Sequence, residues 1–105
     1  VVLFAENQTV LENGEVLKNY YVRESVGLAG GLFIAALHQM GLATLTHTPS
    51  PMQFLSRILH RPKHERPFIL FPIGYPTDDC LVPNLNRKSL QDISVFHTPE
   101  DIDTP

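Results

Sequence analysis

Between Leu42 and Phe54 the chain has to change its secondary structure within a few residues, and its prolines limit where it can do so. Leu42-Ala-Thr-Leu45 reads as strand, whereas Ser50-Pro51-Met52-Gln53 has the form of a capping box with proline at the first helical position. Thr46, His47 and Thr48 then lie where a strand stops and side chains emerge. That is the edge at which open α/β sheets hold cofactors. Thr48 precedes Pro49, which confines its backbone to extended conformations and narrows the aim of its hydroxyl. A hydroxyl aimed from a sheet end is a candidate binding group; a polar strand-to-helix turn is the plainer alternative.

Three apolar runs read as buried strands: Val1–Ala5, Leu42–Thr46 and Phe68–Ile73, with Ile93–Phe96 as a weaker fourth. None alternates, so helices are expected on both sheet faces. Tyr21 to Met40 reads as a long helix with Gly41 at its C-terminal cap. It is apolar nearly all round from Val26 to Leu37, which predicts a central, buried element. Gly27, Gly31 and Ala35 form a small-residue stripe on it that admits the sheet, a flavin-sized ring or a second copy of the helix. A second helix is expected from Pro51 to Leu59, ending near Arg61 because Pro62 follows. Strand, helix, strand, helix, strand gives two right-handed crossover units. Asn13-Gly14 marks either a small hairpin between Thr9–Leu11 and Glu15–Leu17 or a surface loop. Gly74-Tyr75-Pro76 reads as a turn, the stretch to Asp92 as irregular, and 98–105 as a frayed acidic tail after a domain spanning 1–97.

Composition excludes several function classes. With 8 Lys and Arg against 11 Asp and Glu, the chain carries no overall positive charge for nucleic acid. At 43% apolar and 18% charged residues it reads as globular, long enough to bury a core without staples. No run approaches the ~20 apolar residues of a membrane span. The single Cys80 fits a reducing compartment, so a cytoplasmic protein is expected. His60 and His64 have a zinc-helix spacing, but Pro62 breaks the helix they need, so no metal site is expected. Asp78-Asp79 reads as loop solvation. Arg87-Lys88 is either a solvated loop pair or a phosphate grip, with Arg87 supplying the planar fork. The chain opens directly on an apolar strand, which suggests a piece of a longer protein.

Several segments taken together resemble a known family. Tyr20-Tyr21-Val-Arg-Glu-Ser-Val-Gly27, Ala35 to Leu42, Thr44-Leu-Thr-His-Thr-Pro49, Arg61-Pro62, Gly74-Tyr75-Pro76 and Val82-Pro-Asn-Leu-Asn-Arg-Lys88 follow the order of the nitroreductase superfamily. More narrowly, the threonine-rich segment before Pro49 is similar to the C-terminal half of the iodotyrosine deiodinases. The resemblance implies a mixed central sheet with helices on both faces, in an intertwined homodimer with FMN at the subunit interface. It places Thr46, His47 and Thr48 on the flavin-contacting segment, Thr48 at the hydroxyl that meets flavin N5, and Arg87 at the FMN phosphate. The implied reaction is reductive removal of halide from a halotyrosine, with FMN reduced by NAD(P)H or a reductase partner. A nitroreductase-type oxidoreductase acting on nitroaromatics or quinones is the alternative. The family's arginine-rich phosphate motif and its active-site lid have no counterpart here, so this chain alone is expected to bind FMN poorly.

Overall fold

In a computed structural model the structure describes residues 1–102. Its ordering principle is one residue, Leu70, that pairs on both sides. Strand β1 (Val2–Glu6) lies antiparallel to β5 (Glu65–Leu70), with Val2 opposite Leu70. On the other side Leu70 exchanges both backbone hydrogen bonds with His47, each 2.9 Å. The same register continues in β4 (Ala43–Thr44) against β6 (Ile73–Gly74). Along β1 and β5 the register shifts between Leu3 and Phe4, leaving Phe68 as the extra residue beside Pro67. A bulge is where a strand tolerates a proline, which has no N–H for the ladder. Strands β2 (Gln8–Val10) and β3 (Val16–Lys18) form the hairpin, turned at Asn13 and Gly14, the latter at φ +84°.

Helix α1 (Val22–Gln39) packs on β1 and β4. Gly41 closes it as expected. At φ +77° its N–H donates to the His38 carbonyl while the Leu42 N–H donates to Leu37, a complete Schellman motif. Its inner stripe is Val22, Val26, Gly30, Phe33, Ile34 and Leu37. Phe33 meets Phe71 edge-on with ring centroids 5.3 Å apart, and Phe71 is the fully buried residue of the core, with Ala5, Leu37 and Leu55 around the same interior. Helix α2 (Phe54–Ile58) packs on β5. It ends in a second Schellman motif with His60 in the left-handed region at φ +51°. Arg61 then donates two 2.6 Å hydrogen bonds to Glu65, and these hold the Glu65 carboxyl below its usual range.

The structure corrects several expectations. Every hydrogen-bonded strand pair among the described residues is antiparallel, in small two-stranded sheets, so β4, α2 and β5 do not make the second crossover expected; β1 and the Ala43–His47 stretch, both antiparallel to the chain at Leu70, run parallel to each other with α1 between them. Unbroken apolarity suggested strands covered on both faces, yet most of β1 and β5 is half-exposed. Helix α1 is not buried all round: Leu28 and Leu32 are 73% and 74% exposed. The second helix starts at Phe54, not Pro51, with Gln53 at its N-cap and no side-chain cap, because residues 51–53 go into a turn with Leu55 N–H donating to Met52. Ile93–Phe96 is not a strand. Ser89 and Asp92 make a capping box that starts a helical turn, α3 (Leu90–Ile93), and this local bonding outcompetes pairing. The turn expected at Gly74–Pro76 falls at Thr77–Cys80, where the Cys80 N–H donates to Thr77. Pro99–Ile102 form one further helical turn, α4, and the last three residues of the expected frayed tail lie outside the described residues.

Candidate functional site

The segment after β4 is pinned by its backbone, which leaves its side chains free. Thr44 donates its hydroxyl to the Pro72 carbonyl at 2.7 Å, tying the strand across the sheet. Three residues later the paired bonds between His47 and Leu70 fix the backbone again. Along an extended chain side chains alternate, so Thr46 and Thr48 share one face and His47 takes the other. All three are exposed, and neither the Thr46 nor the Thr48 hydroxyl has a hydrogen-bond partner among the described residues. Pro49, half-buried, follows and restricts Thr48. The arrangement offers two rotatable hydroxyls, each able to donate or accept, held by a rigid strand end.

Arg87 lies elsewhere in the chain's course, in a stretch from Cys80 to Ser89 without regular structure. It is exposed, and no hydrogen bond or ion pair among the described residues links it to Thr46–Thr48. The candidate site is therefore an open surface with oriented polar groups and no enclosing walls of its own. These residues fit the flavin the resemblance implies: free hydroxyls for a ring edge and an unpaired guanidinium for a phosphate. Two features escaped the sequence reading. The Thr44–Pro72 bond spans 28 residues and has no local signature. An open cleft of about 780 Å³ behind α2, bordered by Arg57, Lys63 and Arg66, is signalled in the sequence only by the run of cations in 57–66.

No protein-family model matches the chain. It is 53% identical over 97 residues to iodotyrosine deiodinase of Haliscomenobacter hydrossis, covering 92% of this chain and 44% of that protein. It is 41% identical over 96 residues to iodotyrosine deiodinase 1 of Mus musculus and 39% identical over 97 residues to iodotyrosine deiodinase of Drosophila melanogaster, covering 90% of this chain and 34% of each relative. Its structure superposes with TM-score 0.70 and 28% identity on a crystal structure of oxidized iodotyrosine deiodinase bound to FMN and 3-iodo-L-tyrosine, covering 92% of this chain and 45% of that one. The chain thus spans less than half the length of the relatives it matches. Over about nine tenths of its residues, in sequence and in its nitroreductase-like fold, it belongs to the iodotyrosine deiodinase family.

Proposed function

We propose that this protein takes part in FMN-dependent reductive dehalogenation of halotyrosines such as iodotyrosine, releasing halide. The observation that carries this reading is the fold match to a deiodinase holding FMN and 3-iodo-L-tyrosine, at 28% identity across nine tenths of the chain. In the reaction a carbon–iodine bond gives way to a carbon–hydrogen bond, and iodide leaves at the expense of two electrons and one proton. Bound FMN supplies the electrons, having received them from NAD(P)H or a reductase partner. Thr48 presents its hydroxyl to flavin N5, donating to it or accepting from it as the ring's protonation changes, because the hydroxyl rotates while the backbone before Pro49 does not. Thr46 lines the same flavin edge, and His47, whose side chain leaves the opposite face, belongs to the same flavin-contacting segment. Arg87 grips the FMN phosphate with its planar fork.

The open site and the apolar faces suit an intertwined homodimer, in which a second copy supplies the missing walls. Cys80, an exposed free thiol, accords with a reducing compartment such as the cytoplasm. Among the described residues no helix is long and apolar enough to cross a membrane. The test is the visible spectrum of the purified full-length protein. Flavin absorbance at one FMN per chain, perturbed on addition of 3-iodo-L-tyrosine, is the expected result. A colourless protein that takes up no FMN on incubation overturns the proposal.

A further inference from the structure

Half of the chain's cations gather at one place. Arg57, Arg61, Lys63 and Arg66 border the 780 Å³ cleft with Glu65 as the acidic member of the lining. That is four of the eight Lys and Arg against one of the eleven Asp and Glu, leaving four cations against ten anions elsewhere. Concentrating like charge costs energy unless something neutralises it. Arg61 is already spent on Glu65 through its two 2.6 Å bonds. Arg57, Lys63 and Arg66 make no ion pair among the described residues.

The cleft is built by one continuous stretch, from α2 through the left-handed turn at His60 into β5, so its geometry is set locally. Its volume falls within the roughly 300–1,000 Å³ of small-molecule sites, and its lining is charged rather than apolar. Arginine forks match phosphate oxygens in pairs, and a lysine adds a compact point charge. We propose that this cleft binds a diphosphate-bearing ligand of nucleotide size. The net charge of its lining, +3 with His60 neutral, is one that a diphosphate balances. Arg66 lies four residues along β5 from Leu70, so this border of the cleft sits about 13 Å down the strand from the His47–Leu70 bridge. The inference does not rest on the proposed dehalogenation.

The test titrates the full-length protein with ADP and with inorganic pyrophosphate, with and without saturating FMN. Saturable binding of ADP at one site per chain is expected, unaffected by FMN and by Arg87→Ala. Arg57→Gln combined with Lys63→Gln should weaken it by about ten-fold or more. Pyrophosphate binding as tightly as ADP identifies the bare diphosphate as the recognised group; tighter ADP binding adds the nucleoside. A second measurement needs no variant: in the wild-type protein ADP should protect Lys63 from acetylation while Lys18 and Lys88 react as before. Absence of saturable binding, competition by FMN, equal affinity in the double variant, or an unprotected Lys63 overturns the proposal. So does binding of an acidic protein without binding of either small anion.

Discussion

At the scale of single residues the candidate site consists of hydroxyls and one guanidinium. Thr44 and Thr48 have the same side chain four residues apart, yet the first is tied to Pro72 and the second is free. Thr48→Ala should therefore slow iodide release from 3-iodo-L-tyrosine by about ten-fold or more, the value of one hydrogen bond to a charged or polarised partner, while sparing two-electron reduction of a nitroaromatic. Equal loss of both activities in steady-state assays would make Thr48 a general structural residue. Arg87→Ala should raise the FMN dissociation constant about ten-fold or more, with Asn86→Ala as the neighbouring control. Equal constants for the variant and the wild type would leave Arg87 a solvated loop residue. The position of Thr46–Thr48 at a strand end was legible from prolines and polarity alone. The bonds that hold that end were not, because Pro72 and Leu70 come from a distant stretch and leave no mark near Thr44 or His47.

At the scale of elements, α1 separates what local chemistry dictates from what partners decide. Its C-terminal end was readable because Gly41 can take a positive φ that other residues resist. The burial of its faces was not, since apolarity on every side does not say which side this chain covers. Gly30, outside the expected stripe, is the glycine against the core: a Cβ there would lie 3.5 Å from Leu3 and 3.6 Å from Phe71, ordinary contact. Gly30→Ala should then leave stability unchanged or raise it by up to about 1 kcal/mol through helix propensity, read from denaturant unfolding; a loss of more than that would mean the core cannot take a methyl. Gly27 and Gly31 have open space where a side chain would go, on the face shared with the exposed Leu28 and Leu32. If that face meets a second copy across a two-fold axis, Gly31→Leu should weaken dimerisation in sedimentation of the full-length protein without altering the fold. A dimer that persists at low concentration would place the stripe elsewhere. The direction of β5 against β4 was not legible for a related reason: apolar runs look alike in parallel and antiparallel sheets, and only the partner of each strand distinguishes them.

At the scale of the molecule the chain is open. Its radius of gyration is 19.7 Å, against about 13 Å for a compact domain of this length. Its accessible surface is 9269 Å², against roughly 5,900 Å² for a folded monomer of its mass. The four core residues among the described ones do not amount to the self-sufficient core that length and composition suggested. Leu81, Val82, Val95 and Phe96 on the C-terminal stretch are 77–92% exposed, an apolar surface of the kind that obligate interfaces cover. Both the candidate site and the fold therefore call for further polypeptide, which is where a cofactor held between subunits would find its walls. The most direct measurement of the whole account is a single turnover. Full-length protein carrying FMN, reduced anaerobically and mixed with 3-iodo-L-tyrosine, should release one iodide for each flavin reoxidised. Flavin that stays reduced with no iodide released, but is reoxidised by a nitroaromatic or a quinone, would contradict it.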